Sequence, residues 1–333
     1  MQIARRGLLG LGAAAAVSTL ASACRGPAQS SAGTSSPLVR TRRSRGATDP
    51  KSPRFFGQPP PGHLYYGASL PYSRSLHAFE SSIGSHLALN RSYFTYAPDV
   101  TRRMALRCHD DLANGRLPHV SVKPAGTWHD VATGAQDPWL NTLLLALGQQ
   151  AGPVFLTIHH EPENDAGGPG MLPVDFVAMQ RHVMERAAEL APTVTVIPVL
   201  QHWTFDPVRD DSDPRAWIVP EAAVFGIDIY NPWSPTNGRQ WRTFSSLTDE
   251  VLPWAGDTPV AIGEYGCRVD PSNPDLTTEW LRDAADYSRE IDVVSMSYFN
   301  SHLNTRDGSM ALHGQSEQTF ASLLKSPWVA RPV

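Results

Sequence analysis

The chain has 333 residues, of which 41% are hydrophobic and 18% are charged, a globular composition that excludes a disordered chain, a collagen and a coiled coil. Three cysteines exclude a disulfide framework, and a net charge of −4 argues against a nucleic-acid binder. The charge is uneven, because residues 1–23 carry +2, residues 24–60 carry +6 and residues 61–333 carry 19 basic and 31 acidic side chains, a net −12.

The first 23 residues have the layout of a secretory signal peptide, in which Arg5 and Arg6 precede a short apolar run. This run is shorter than the roughly 20 apolar residues that a bilayer span needs. The paired arginines resemble a twin-arginine export signal, and an ordinary secretory signal is the alternative. The run closes with Ala21-Ser22-Ala23-Cys24, which resembles a bacterial lipobox. We therefore expect lipidation of Cys24 as the one membrane attachment, with ordinary signal-peptidase cleavage as the alternative.

Residues 24–60 are rich in Ser, Thr, Gly, Pro and Arg and show neither a helical nor a strand period. Such a segment buries too little surface to order itself, so we predict a disordered basic tether. Together with the signal peptide, it predicts an exported protein, either a cell-surface lipoprotein or a secreted one. After export, Cys108 and Cys267 are either bonded to each other or, as we favour, two separate buried thiols.

Residues 61–333 alternate short apolar segments with helical stretches. Several of the apolar segments are continuous Val/Ile/Leu runs, as in strands buried on both faces. The predicted strands are 64–70, 87–94, 119–123, 154–160, 194–202, 224–230, 260–264 and 293–299. The predicted helices are 73–85, 98–114, 138–149, 173–190, 241–254, 276–289 and 315–324, with the weakest pattern in 203–223. This alternation predicts one α/β domain, a (β/α)8 TIM barrel, rather than an open sheet, since 67–71 is no dinucleotide fingerprint.

In such barrels the active site lies at the carboxyl ends of the strands. Two glutamates stand there, Glu161 after the fourth strand and Glu264 after the seventh. Glycoside hydrolysis needs two carboxyl groups that flank the scissile bond, and nearby aromatic rings can stack on sugars. The other polar and aromatic residues predicted at these ends are Lys123, Trp128, His160, Gln201, Trp203, Asp228, Tyr230, Asn231 and Trp233.

The pair His160-Glu161 and the segment Ile262-Gly263-Glu264-Tyr265-Gly266 resemble clan A glycoside hydrolases, and the His before the Glu resembles glycoside hydrolase family 26. The resemblance implies a retaining hydrolase of mannan-type or related β-linked polysaccharide that works by double displacement. It implies Glu161 as the acid/base, Glu264 as the nucleophile and Tyr230 as a donor to that nucleophile. The expected substrate contacts are His160, Tyr230, Trp233, Trp203, Trp128, Lys123, Gln201 and Asn231.

Several alternatives stay open at this point. Glu163 is a second candidate for the acid, His159 is interpreted as a packed histidine, and Asp228 as a hydrogen-bonded carboxylate. A metal site at 159–163 is disfavoured because consecutive histidines on a strand diverge. We therefore expect a monomer with no metal, no cofactor and a polysaccharide partner. The alternative functions are a surface lipoprotein that only binds glycans and a metal-dependent hydrolase of the envelope.

Overall fold

A computed structural model describes residues 54–71, 74–209, 211–270, 272–302 and 308–332. The predicted signal peptide, Cys24 and all of the tether up to residue 53 lie outside the described residues, so these remain predictions. Within the described ranges, none of the helices combines the length and the apolar character that a membrane crossing requires.

Nine parallel strands form one sheet, and eight α-helices connect or follow them. The strands are β1 (Tyr65–Ser69), β2 (Leu89–Thr95), β3 (Leu117–Lys123), β4 (Val154–Ile158), β5 (Val194–Val196), β6 (Val199–Gln201), β7 (Phe225–Tyr230), β8 (Val260–Gly266) and β9 (Ser295–Phe299). The helices are α1 (Leu76–Ile83), α2 (Val100–Ala113), α3 (Trp128–Ala132), α4 (Asp137–Gly148), α5 (Pro173–Leu190), α6 (Phe244–Ala255), α7 (Asp275–Glu290) and α8 (Gly314–Leu324).

The sheet closes on itself where β5 meets β6. These two strands are one predicted strand that is interrupted at Ile197 and Pro198. The Ile197 N–H donates to the carbonyl of Leu156 on β4 at 2.8 Å, and the Gly226 N–H on β7 donates to the carbonyl of Pro198 at 3.0 Å. The interrupted strand therefore bridges the two ends of the sheet. If β5 and β6 are counted as one interrupted strand, the barrel has eight strands, which confirms the predicted (β/α)8 barrel.

An apolar plug fills the barrel at the amino ends of the strands, and it corrects the predicted boundary of the tether. Phe55 belongs to this plug, with its ring 6.0 Å from that of Phe155. The Thr195 hydroxyl donates to the carbonyl of Phe56 at 2.8 Å. Residues 54–60 are thus part of the packed body, because the aromatic side chain of Phe55 finds an apolar site beneath the barrel.

The stretch 203–223 forms no α-helix among its described residues. Two short 3₁₀ turns, His202–Phe205 and Pro214–Ala216, take its place. Three prolines, at 207, 214 and 220, explain the difference, because each removes a backbone donor that a continuous helix would use. The two cysteines, Cys108 on α2 and Cys267 just after β8, are buried free thiols, as the favoured alternative predicts.

Candidate active site

The chain turns sharply at the carboxyl end of β4. The strand ends at Ile158, two residues earlier than predicted, and both His159 and Glu161 adopt left-handed backbone conformations with φ of 60° and 48°. Such conformations cost about 1–3 kcal/mol in non-glycine residues and cluster at functional sites. The Glu161 N–H donates to the carbonyl of Val199 at 3.0 Å, which fixes the turn over the end of β6. This turn, rather than strand alternation, separates His159 from His160.

A β-bulge shapes the carboxyl end of β8. Ile227 pairs with Ile262, but the next residue, Asp228, pairs with Glu264, so Gly263 is the extra residue. A Cβ on Gly263 would lie 2.6 Å from Asp228 Oδ1, which explains why glycine occupies the bulge. Glu264 is only 6% exposed, and the Tyr230 hydroxyl donates to its Oε2. The structure therefore places Tyr230 where the resemblance implied.

The carboxyl groups of Glu161 and Glu264 meet in one cavity of about 610 Å³. One oxygen of each, together with one of Asp228, lie within 4.8 Å of one another. Carboxyl groups with oxygens this close are compatible with the spacing of about 5–5.5 Å in retaining glycosidases, which is shorter than the 6.5–9.5 Å of inverting ones. The cavity is lined by Tyr93, His160, Glu161, Trp203, Tyr230, Asn231, Pro232, Asn237, Arg239, Glu264, Arg268, Phe299 and Met310.

The environment of Glu161 favours its protonated form. Burial is the largest cause, followed by the charges of Glu264 and Glu163, and together they raise its pKa to about 8. The Asn164 side-chain amide donates to Oε2 of Glu161 at 3.0 Å, so the proton belongs on Oε1. A neutral carboxyl thus faces Glu264 across the cavity.

Asp228 is a third carboxyl group at the site, beside the two glutamates. It is 2% exposed, and neither of its oxygens has a hydrogen-bond partner among the described residues. Burial and the nearby Glu264 charge raise the pKa of Asp228 well above the usual range, which favours its protonated form. Asp228 is thus an interior group beside the two glutamates, and the backbone N–H of Glu264 opposes the rise in its pKa. The alternation of β7 gave the available signal, since Asp228 and Tyr230 share its inward face.

Arg91 on β2 is a buried group that sequence reasoning missed. It is 1% exposed, its Nη1 donates to Thr157 Oγ1 at 3.4 Å, and its guanidinium lies 5.2 Å from the centroid of the Tyr93 ring. Its positive charge opposes the rise in the pKa of both Glu161 and Asp228. Arg91 is therefore the counter-charge beneath the carboxyl groups.

The two histidines of β4 have different surroundings. His160 lines the cavity, its Nδ1 lies 3.1 Å from Ser121 Oγ, and burial next to the Arg91 charge lowers its pKa to about 3. His159 is packed, as predicted: the Trp128 indole donates to its Nδ1 at 2.9 Å, and its Nε2 donates to Asp165 at 2.9 Å. His160 thus lines the cavity as an uncharged side chain, while His159 stabilises the loop after β4 through its hydrogen bonds.

Three predicted substrate contacts lie elsewhere. Trp128 is fully buried under His159, so the expectation that it stacks on sugar is wrong. The ring of Trp233 packs against Trp241, with centroids 5.4 Å apart, and does not line the cavity. Lys123 forms an ion pair with Asp165 and also lies outside the cavity lining. Sequence position placed all three at strand ends, but local packing directs their side chains away.

The remaining predicted contacts divide between two adjoining cavities. Trp203 lines both the catalytic cavity and a polar side cavity of about 990 Å³, whereas Gln201 lines only the side cavity. Asn231 lines the catalytic cavity, and its amide donates to the carbonyl of Arg242 at 2.6 Å. Glu163 accepts from the Gln201 N–H at 3.0 Å and from the Thr204 hydroxyl at 2.6 Å, outside the catalytic cavity, so its position does not suit the acid.

The spacing of Glu161, Asp228 and Glu264 also lies within the range of a divalent-cation site. This set differs from the histidine-containing cluster considered in the sequence. Hard cations such as Mg²⁺ and Ca²⁺ take six or more oxygen ligands, and these three carboxyl groups would supply only part of that shell.

No family model matches the sequence, and no curated protein matches it. Solved structures do share its fold. An endo-β-1,4-mannanase from Cellulomonas fimi is 11% identical with a TM-score of 0.53, over 83% of this chain and 72% of that one. An exo-β-1,4-mannosidase from Opitutaceae bacterium strain TAV5 is 14% identical with a TM-score of 0.57, over 79% of this chain and 59% of that one.

An endo-β-1,4-glucanase from Xanthomonas axonopodis pv. citri is 12% identical with a TM-score of 0.57, over 79% of this chain and 99% of that one. A second structure of the Cellulomonas mannanase, described as a glycoside hydrolase family 26 enzyme, has a TM-score of 0.51. At these identities the similarity concerns the fold. The chain thus has the barrel fold of family 26 mannanases and related clan A enzymes, as the sequence resemblance implied.

Proposed function

We propose that this protein is a retaining glycoside hydrolase that cleaves a β-linked polysaccharide. The observation that carries the proposal is the pair Glu161 and Glu264, of which one oxygen each lies within 4.8 Å of the other in one cavity, with the pKa of Glu161 raised and the Tyr230 hydroxyl donating to Glu264. A neutral carboxyl beside an ionised one is the arrangement that an acid and a nucleophile require. The barrel shared with mannanases and a glucanase supports the same reaction class.

The first step forms a covalent intermediate. A Glu264 oxygen attacks the anomeric carbon while the bond from that carbon to the leaving oxygen breaks. Glu161 transfers its proton to the leaving oxygen, so the departing sugar leaves as an alcohol and Glu161 becomes a carboxylate. Tyr230 donates to Oε2 of Glu264, which leaves Oε1 to attack.

The second step returns the enzyme to its starting state. In the intermediate Glu264 is an ester, so the charge that helped to raise the pKa of Glu161 is gone. Glu161 therefore accepts a proton from water while the water oxygen attacks the anomeric carbon. The ester bond breaks, Glu264 is again a carboxylate, and two inversions at the carbon give net retention.

The test is release of reducing sugar from mannan, β-glucans and xylan by the purified protein, beside Glu161→Gln, Glu264→Gln and the control Glu279→Gln. Glu279 is an exposed glutamate on α7, so its substitution should leave activity unchanged. We expect activity in the wild type and the control and its loss in both active-site variants. Saturable binding without products, unchanged by Glu264→Gln, would support a glycan-binding protein instead. Activity lost to a chelator and restored by a divalent cation would support a metal-dependent hydrolase.

We also propose that the chain is exported and anchored through a lipid on Cys24, on the support of the arginine pair and the lipobox-like segment. The test is fractionation of bacterial cells that express the full chain. Wild type should sediment with membranes, and Cys24→Ser should appear in the soluble exported fraction. An identical distribution of both proteins would contradict the lipid anchor.

A further inference from the structure

Two arginines line the catalytic cavity without an acidic partner. Arg239, from the loop after β7, and Arg268, just after β8, both line the cavity that contains Glu264. Neither forms a salt bridge with any acid in the described part of the chain, and the buried Nε of Arg268 has no hydrogen-bond partner there. A desolvated guanidinium donor without an acceptor is costly, so Arg268 is a candidate for binding a ligand. Arg239 is exposed and lines the same cavity, so its guanidinium is accessible to that ligand.

The side chain of Arg239 is held in place by an aromatic ring. Its guanidinium carbon lies 4.3 Å from the centroid of the Trp203 ring, a cation–π contact. Trp203, Pro232 and Arg239 line both the catalytic cavity and the side cavity. Arg239 therefore stands where a glycan chain would pass from one cavity to the other, and the stacked indole reduces the entropy cost of binding there.

Other arginines around these cavities are neutralised. Arg242 bonds to Glu250 at 2.7 Å, and Arg209 bonds to Asp211 at 2.8 Å. The body as a whole carries a net charge of −12, so acidic partners are abundant. Arg239 and Arg268 thus differ from their neighbours, although the surrounding surface offers many carboxylates.

The protonation of the carboxyl groups makes the cavity positive near neutral pH. Burial raises the pKa of both Glu161 and Asp228, which favours their neutral forms, and it lowers the pKa of His160, which favours the uncharged imidazole. Glu264 then supplies one negative charge against the positive charges of Arg239, Arg268 and the deeper Arg91. A site that binds only neutral sugars does not need an excess of positive charge, whereas an anionic sugar would be attracted to that charge.

We propose that Arg239 and Arg268 bind an anionic group on the polysaccharide, so that the substrate is an acidic β-glycan. This inference rests on the proposed glycosidase function. The guanidinium fork matches a carboxylate with two parallel hydrogen bonds, and it also pairs with sulfate or phosphate oxygens. The carboxylate of a hexuronic acid and an acidic ester on a neutral sugar are two sources of the same chemistry.

The experiment compares polymers that differ only in charge. β-1,4-Mannuronan and β-1,4-glucuronan are tested beside their carboxyl-reduced forms, which are a mannan and a glucan, and beside a sulfated mannan. The enzymes are the wild-type full chain, Arg239→Gln, Arg268→Gln and the control Arg282→Gln, an exposed arginine on the outer helix α7. The readout is kcat/KM for each polymer at two salt concentrations.

We expect the wild type and Arg282→Gln to prefer an acidic polymer over its reduced form by at least about tenfold, less so at high salt. Each cavity variant should lower kcat/KM on the acidic polymer by about 10- to 100-fold, the cost of removing a charged hydrogen bond of about 1.5–3 kcal/mol, and change the neutral polymer little. Preference for the uronan or for the sulfated mannan identifies the anion. Equal cleavage of charged and neutral polymers, or equal losses on both, would overturn the inference.

A binding measurement separates failure of this inference from failure of the proposed function. If no polymer is cleaved, the glycosidase proposal fails, and calorimetric titration with mannuronate, glucuronate and sulfated mannan oligosaccharides still tests the arginines. Tighter binding of an acidic oligosaccharide than of its neutral counterpart, weakened by Arg239→Gln, would support the inference. Failure of every acidic oligosaccharide to bind would overturn it.

Discussion

The ends of β4 and β8 each present one carboxyl group to the same cavity, but they do so by different means. After β4, two left-handed residues reverse the chain and place Glu161 in a partly buried turn, with the side chain of Asn164 as its neighbour. On β8, a bulge at Gly263 reorients the strand while the ladder continues, and Glu264 receives the Tyr230 hydroxyl. Glu161 lies in a turn where burial disfavours a charged carboxyl group, whereas Glu264 lies in a strand and accepts a hydrogen bond from Tyr230.

This difference separates the roles of two chemically similar side chains. Burial raises the pKa of Glu161, and the negative charge of Glu264 adds to the rise. A donor such as the Tyr230 hydroxyl stabilises the ionised form of its acceptor. In the proposed mechanism, backbone geometry and neighbouring groups, rather than residue type, therefore determine which glutamate is the acid and which is the nucleophile. The predictions below test that assignment.

The largest expected effect is that of Glu264→Gln, which removes the attacking carboxylate. We expect kcat to fall by a factor on the order of 10⁶, as for nucleophiles in other covalent mechanisms. Steady-state release of reducing sugar measures it, and external azide added to a deletion variant, Glu264→Ala, should yield a glycosyl azide of inverted configuration. A Glu264→Gln enzyme with near-normal turnover would show that the strand end of β8 does not hold the nucleophile.

Replacing Glu161 should lower kcat by a smaller factor than replacing Glu264. Glu161→Gln removes proton transfer, a contribution of about 10²–10⁴-fold. The loss should be largest for substrates with poor leaving groups and small for an aryl glycoside with an acidic phenol, because such a group needs no proton. Equal losses on both substrates would contradict the assignment of Glu161 as the acid.

Removal of the donor to the nucleophile should have an intermediate effect. Tyr230→Phe deletes the hydrogen bond to Glu264, worth about 1.5–3 kcal/mol when the acceptor is charged, so kcat should fall roughly 10- to 100-fold. Tyr287→Phe is the matched control, because that hydroxyl donates to Asp249 between the outer helices. A comparable loss in the control would indicate a general effect of stability.

The acid should also determine the basic limb of the pH profile. Since Glu161 must be protonated in the first step and its pKa is raised to about 8, the basic decline of kcat/KM should begin only near that pH. Above it, kcat/KM should fall about tenfold for each pH unit. A decline that begins near pH 5 would mean that Glu161 is ionised in the free enzyme.

The smallest effect should come from Lys123, whose positive charge opposes the rise in the pKa of Glu161. Lys123→Met should therefore move the basic limb to higher pH by a fraction of a unit and leave kcat at pH 6 almost unchanged. The exposed control Lys325→Met should move nothing. A shift to lower pH in Lys123→Met would contradict the electrostatic account.

The barrel was predictable because continuous apolar strands that alternate with amphipathic helices are compatible with few other folds. The two glutamates were predictable as site residues because they follow the fourth and seventh predicted strands. The packing of Phe55 under the barrel was not predictable, since two adjacent phenylalanines in a short segment carry no periodic signal and only Phe55 is buried. Trp128 was wrongly predicted to contact substrate, because its indole donates to His159 and packs there, which its position in the sequence does not reveal.

The positions of Asp228 and Arg91 at the site were not predictable for a related reason. Asp228 lies in the apolar strand Phe225–Tyr230 and Arg91 in the more polar strand Leu89–Thr95, and neither segment shows which groups the charged side chain will meet until the register is known. The register places both beneath the cavity, where they set its charge. The pairing with neighbouring strands determines where these side chains lie, so the sequence of each strand alone does not reveal their positions.

The measurement that tests the central claim most directly is mass spectrometry of the protein after reaction with an activated 2-deoxy-2-fluoro glycoside of the sugar identified in the polymer panel. The fluorine slows the second step, so the covalent intermediate accumulates. The account predicts one added glycosyl group per chain on the peptide that contains Glu264, and no label in Glu264→Gln. Label on Glu161, or an unlabelled enzyme that releases product of inverted configuration, would contradict it.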